Sequence, residues 1–374
     1  MKVLTIAATP FFSDRGCHIR IYNEAKYLEK LGAKVRLCTY YLGENPAGLD
    51  IQRTGKTFWY KKISPGFSWA KIWLDFKLLF LVRREIKKFH PDVIHAHLFE
   101  GLAVGRLASL LAFKRIPIVF DLQGDLMEEF ESYNGKNNLA KKLFVAISNR
   151  VASWADRAVV SSENAKFWKP GFQNVGDGVD LELFKNPVEL GEDEKSKIEK
   201  IKDWKKDARL LVYIGGLSDN KGVGGLLESF GRWGENNQWK LLLGGFGKNE
   251  KKYRKYIQEN NLADKVHLAG RVKYFSLPAY LVLADAAIDP KNESAESSGK
   301  LMGYMAAGLP IICFGNEFNK KRLGEEGVYI NSMSEIRGAL LNLSERSRRE
   351  YESQEFSEEK EVSKLFSIIQ SLTK

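Results

Sequence analysis

Cysteine is scarce in this chain of 374 residues: Cys17, Cys38 and Cys313 are the only three, with no Cys-x-x-Cys or Cys/His spacing among them. That excludes a disulfide framework and a zinc knuckle, and it suits a reducing compartment where thiols simply pack. Long apolar runs are missing too, since no segment approaches the ~20 residues of a spanning helix. The opening stretch Met1–Ala8 is short in apolar length and has no cleavage region, so it is expected to be a first β-strand and not a secretion signal. No Gly-x-Gly-x-x-Gly follows it, which disfavours a nicotinamide oxidoreductase. No Asp-x-Asp ends a strand to hold a divalent ion, and no metal site or resident cofactor is expected.

Acidic residues are outnumbered: 58 Lys and Arg stand against 47 Asp and Glu, a formal charge of +11. The sign favours anionic partners, whether nucleic acid, anionic lipid or a nucleotide diphosphate. The length suits two α/β domains of roughly 150 to 200 residues. Short apolar strands alternate with amphipathic helices through Lys2–Ala7, Ile19–Leu31, Lys34–Thr39, Val93–Ala96, Gly101–Ala112 and Ile116–Asp121, which implies parallel βαβ units and a doubly wound sheet. Charged residues dominate Asn186–Arg209, a linker or surface helix, and the alternation restarts at Leu210. The expected domains are 1–185 and 186–355, both Rossmann-like, with a terminal helix over 356–374.

Several stretches have the residue types that ligand sites need. Gly215-Gly216-Leu217-Ser218-Asp219-Asn220-Lys221-Gly222 leads from a strand through glycines into a helix, so backbone N–H groups and a lysine can meet an anion such as a diphosphate. Read alone, it is equally an ordinary turn with a surface lysine. Leu241–Gly247 ends a second strand in close glycines, again a turn or a site. The stretch Glu296-Ser297-Ser298-Gly299-Lys300 feeds a helix that exits through Gly308-Leu309-Pro310. In the first half, Asp92-Val93-Ile94-His95-Ala96-His97 closes a strand at the end where doubly wound folds bind ligands.

Taken in order, these motifs resemble glycosyltransferase family 4, a group with the GT-B fold. The likeness runs from Lys2 to Phe314. It implies an α/β protein of two Rossmann-like doubly wound domains facing a central cleft, with a last helix that packs back across the hinge. The implied activity is retaining and metal-independent: a sugar passes from a nucleotide-diphosphate sugar, the co-substrate, to a glycan, lipid-linked or small-molecule acceptor. By the same resemblance Lys221, Glu296 and His97 are the catalytic candidates, with Lys221 on the donor phosphates and the other two orienting the sugar. Donor contacts fall on Gly16, Gly215, Gly216, Gly245, Gly247, Arg271, Ser298, Gly299 and Lys300. Acceptor contacts fall on Arg15, His18, Arg20, Asp121, Gln123 and Asp125, of which the first three serve equally as a polar rim and the two aspartates as turn caps.

The chain departs from the family pattern at informative places. Gly216 stands where an arginine of the Gly-Arg-Leu-x-x-x-Lys-Gly motif is expected, and Lys300 is the candidate to replace that charge. Gly303 stands where a glutamate meets the ribose, and Glu296 is one residue out of register with the other expected glutamate. Asn174–Phe184 matches a segment near the family's domain junction, with Asp177 in place of asparagine. These losses keep two other readings open, a non-catalytic partner subunit and a nucleotide-sugar epimerase. Between Lys56 and Phe89, aromatics such as Phe58, Trp59, Trp73 and Phe76 interleave with Lys61, Lys77 and Lys87. That pattern suits an interfacial segment on anionic lipid, or equally a helix with its aromatics in the core. The implied location is the cytoplasm, peripheral at the inner face of the membrane, with no nucleic-acid partner.

Overall fold

The computed structural model describes residues 1–60, 69–123, 138–161, 171–233, 238–292, 299–343, 351 and 356–373. The chain divides into two compact units, Met1–Gly178 with Glu358–Lys374, and Val179–Ser357. Both are built on parallel sheets with flanking helices, the α/β class that the alternation implies.

In the first unit, seven parallel strands run in the order β3-β2-β1-β4-β5-β6-β7. They are β1 (Lys2–Ala7), β2 (Lys34–Thr39), β3 (Ile51–Arg53), β4 (Val93–His97), β5 (Ile118–Leu122), β6 (Arg157–Val160) and β7 (Phe172–Asn174). The inner strands are buried along nearly their whole length because helices cover both faces. Those helices are α1 (Gly16–Lys30), α2 (Trp69–Phe89), α3 (Leu98–Leu111) and α4 (Asn138–Ala152). The last helix, Glu358–Ser371, belongs here as well: Val362, Leu365 and Ile369 repeat at helical spacing and join a core cluster with Ala25 and Leu28 of α1.

The second unit holds six parallel strands in the order β10-β9-β8-β11-β12-β13. These are β8 (Arg209–Ile214), β9 (Trp239–Gly244), β10 (Val266–Gly270), β11 (Ala286–Asp289), β12 (Ile311–Phe314) and β13 (Gly327–Ile330). The charged stretch after Asn186 is a helix, α5 (Glu192–Lys205), and it inserts Ile198 and Ile201 into this unit's core. Two further helices frame the site: α6 (Val223–Gly231) after β8, and α7 (Lys300–Ala306) before β12.

Both sheets follow one plan: two strands are laid down outward from the first, then the chain crosses back and continues on its other side. The reversal falls between β1 and β4 in one unit and between β8 and β11 in the other. Just beyond the carboxyl ends of such paired strands, the loops part and leave a crevice.

Candidate functional site

At the first unit's reversal, β1 turns into α1 through a loop tied down by His18. The Ser13 N–H donates to His18 Nδ1 at 3.0 Å, and Nε2 meets Thr9 Oγ1 at 2.7 Å. Burial, with help from the nearby Arg15 charge, lowers the His18 pKa to about 3. His18, buried with both ring nitrogens engaged, braces this loop from within. Gly16 opens α1 and is exposed, and Arg15 is half-buried.

One turn further along α1, Arg20 is buried, and each of its N–H groups is used. Its Nε and Nη2 straddle the Asp121 carboxylate at 3.1 and 3.0 Å, and its Nη1 donates to Asp177 Oδ1 at 2.9 Å. The Val175 and Gly176 carbonyls take the remaining donors. Burial alone would raise the Asp121 pKa, but Arg20 and His97 hold it well below the usual carboxylate range. Arg20 and Asp121 are thus buried partners of each other.

Asp121 also orients His97, which ends β4. His97 Nδ1 lies 2.9 Å from Asp121 Oδ2, and the Gln123 amide donates to the same oxygen at 2.8 Å. That leaves His97 Nε2 as the ring nitrogen with no hydrogen-bond partner among the described residues, although the side chain is fully buried. The next residue, Leu98, takes φ +63 as the strand turns into α3. A β-carbon in the left-handed region is strained, and such strain gathers at functional turns.

Glu24 and His95 complete the cluster; sequence reasoning passed over Glu24 and quoted His95 within its motif without giving it a role. Two signals mark them: Glu24 is one helical turn beyond Arg20, and His95 shares a strand face with His97. The two imidazole centroids are 4.3 Å apart. Burial, assisted by Asp121 and Glu358, pushes the Glu24 carboxyl up despite Arg20. Ligand atoms of Glu24, His95, His97 and Asp121 all lie within 4.8 Å of one another, a spacing a metal could use. Here the positive charge on both carboxylates comes from Arg20, within 3.1 Å of each.

At the second unit's reversal, loops from four strand ends pack by backbone. Gly245 takes φ +133, and a β-carbon there would lie 1.8 Å from the Gly215 carbonyl oxygen. A β-carbon on Gly247 would meet the Leu217 oxygen at 2.2 Å, and one on Gly222 the Pro290 oxygen at 2.0 Å. Gly245 is buried in this contact, so its requirement for glycine is fully explained by loop packing. The Leu217 N–H donates to the Phe246 carbonyl, and the Asn249 N–H to the Leu217 carbonyl, locking the β8 and β9 loops together.

Charge is placed on this frame. Lys221 closes a single 3-10 turn, Asp219–Lys221, directly before α6. Lys300, the first residue of α7, lays its stem against Gly215, where a β-carbon would meet Lys300 Cδ at 2.7 Å. Its ammonium is 3.3 Å from Asp289 Oδ1 at the end of β11 and 5.7 Å from the Tyr213 ring. Gly216, by contrast, is exposed, with open space where a side chain would project. Arg271 is exposed after β10, its guanidinium 5.5 Å from the Phe246 ring centroid. Gly303 is buried on α7, nearest Leu277 and Phe184. Gly299 is exposed ahead of that helix, whereas Asp125, Glu296 and Ser298 lie outside the described residues.

Residues 194–331 match the family model described as glycosyl transferases group 1, and residues 15–168 match that of glycosyltransferase family 4. The chain belongs to this glycosyltransferase family, and its fold is GT-B. Among curated proteins it is 25% identical over 260 residues to TuaC of Bacillus subtilis (strain 168), a glycosyltransferase assigned to teichuronic acid biosynthesis. The alignment covers 68% of this chain and 61% of TuaC, so the chain spans less than two thirds of that relative. Among solved structures, sucrose-phosphate synthase from Thermosynechococcus elongatus superposes with a TM-score of 0.74 at 16% identity, covering 99% of this chain and 98% of that one. Anabaena HepE, solved in complex with UDP, gives a TM-score of 0.69 at 15% identity, covering 99% and 100%.

Proposed function

We propose that this protein transfers a sugar from a nucleotide-diphosphate sugar, and that the diphosphate binds at the reversal of the second sheet. The observation that carries this reading is one glycine-built loop after β8, on which Gly215 carries the Lys300 stem and Gly222, between Lys221 and the amino end of α6, packs on the Pro290 carbonyl. Negative charge grows on the leaving diphosphate as the bond to the sugar breaks, so cations and N–H groups fixed in advance lower the barrier. Lys300 takes the part of the arginine that Gly216 replaces. Asp289 holds its ammonium over the loop.

In the first unit, Asp121 fixes the His97 ring, and Nε2 accepts a hydrogen bond from a sugar or acceptor hydroxyl. The reaction is retaining and needs no metal: the acceptor oxygen bonds to the anomeric carbon on the face the diphosphate leaves, and its proton passes to the departing phosphate oxygen. Glu296 orients the sugar. The basic, aromatic segment Lys56–Phe89 supports a lipid-linked acceptor and a peripheral position at the inner face of a membrane.

A screen of nucleotide sugars for turnover tests this reading. One donor is expected to yield free nucleoside diphosphate, with the anomeric configuration retained in the product by NMR. Lys221→Ala and His97→Ala should each lower kcat/KM at least about a hundredfold. Turnover untouched by Lys221→Ala, or an isomerised nucleotide sugar as the sole product, contradicts it; the second outcome identifies an epimerase.

A further inference from the structure

The proposal of a membrane-facing enzyme rests on the Lys56–Phe89 segment, but the structure places a second element beside it. The outward face of α2 carries Ile72, Trp73, Phe76 and Phe80, all exposed, and the aromatic rings touch along the helix, Trp73 stacked on Phe76 and Phe80 edge-on to Phe76, with centroids 5.7 and 4.8 Å apart. Beyond them the same face turns basic, through Arg84 and Lys87. Leu74, Leu78 and Val82 on the opposite face fill the core, so the exposed aromatics are not core residues. Trp73, Phe76 and Phe80 therefore do not take the core position that the sequence left open.

Helix α3 packs alongside α2. Lys71 pairs with Glu100 near one end, and Arg83 Nε donates to the Leu111 carbonyl at 3.0 Å near the other. The carboxyl end of α3 therefore lies next to the basic half of α2. It exposes Leu107, Leu110 and Leu111, followed by Phe113, which is 92% exposed.

Phe113 has a second peculiarity. The Phe113 N–H bonds the Leu110 carbonyl and the Lys114 N–H bonds the Ser109 carbonyl, the pairing that ends a helix with a left-handed residue. Phe113 takes that position at φ +56, where glycine is the usual occupant. A phenylalanine that strains its backbone and leaves its ring in water adds nothing to the fold. Lys114 and Arg115, both exposed, follow immediately.

We infer that the α2 stripe and the α3 terminus, with Phe113 as an inserting anchor, form one docking face for an anionic lipid bilayer. Apolar and aromatic side chains rimmed by Lys and Arg match the acyl boundary and the charged headgroups of such a surface. The overall charge of +11 has the matching sign.

The test is co-sedimentation of the full chain with phosphatidylcholine vesicles, with and without phosphatidylglycerol, using Phe113→Gly and Phe76→Ser/Phe80→Ser. Phe113→Gly relieves the backbone strain, so its thermal midpoint should hold or rise while affinity for anionic vesicles falls at least fivefold. The α2 double variant should weaken binding comparably, and neither should change nucleoside diphosphate affinity. If the unaltered protein ignores anionic vesicles, the membrane reading and this inference both fail. Binding that survives Phe113→Gly but not the α2 change removes the α3 element and leaves the membrane reading standing. A concentration-dependent dimer abolished by Phe113→Gly would assign the face to a second copy and overturn the proposal.

Discussion

His18 shows how one buried side chain sets a global property. Its Nδ1 accepts from the Ser13 backbone, and burial lowers its pKa to about 3, so the folded protein keeps it neutral where an unfolded chain, at 6.5, does not. Between those values the unfolded state binds more protons, so stability is complete above about pH 6.5 and is lost as pH falls toward 3. Denaturant titrations over that range should show the decline, and His18→Asn, which keeps an acceptor for Ser13, should make it shallower. It should not flatten entirely, because burial and the neighbouring His97 also hold His95 low. Identical slopes in the two proteins would contradict this role. The sequence marked His18, Arg20 and Asp121 but left them between acceptor contacts and a polar rim or turn cap. Charged residues beside a strand end look alike whether they face water or one another, and only the fold brings Arg20 onto Asp121, Asp177 and Glu24.

At the scale of elements, the inner strands were legible because buried parallel strands read as continuous apolar runs. Strands β3, β7 and β13 were not, being edge strands of three or four residues with half-exposed side chains and no periodicity to find. The helix that the Glu296–Lys300 stretch feeds begins at Lys300 itself, and that start sets the lysine stem on Gly215. The glycine loops were recognised, but their reason was hidden: Gly245 and Gly247 let one loop rest on another. Gly245→Ala should therefore destabilise the protein by about 2 kcal/mol or more, measured by denaturant titration, since it adds a left-handed strain to a contact with the Gly215 carbonyl. A neutral effect on stability would mean that these loops are not locked as described.

For the whole molecule, the repeated strand order explains why both constellations occupy equivalent places. Each sheet reverses its strand order once; His97 ends a strand beside that reversal in the first unit, and Lys221 follows a strand beside it in the second. The motif order along the sequence carried the family and the fold, because each motif marks one strand end in turn. The same motif order nominated Lys300 for the charge missing at Gly216; what it could not show is how the lysine reaches that loop, with its stem laid on Gly215. Calorimetric titration with a panel of nucleoside diphosphates tests that central claim most directly. The account predicts one tight ligand, about tenfold weaker binding in both Lys221→Ala and Lys300→Ala, and tighter binding in Gly216→Arg, where open space admits the side chain. No binding of any nucleoside diphosphate, or affinity indifferent to all three substitutions, would contradict it.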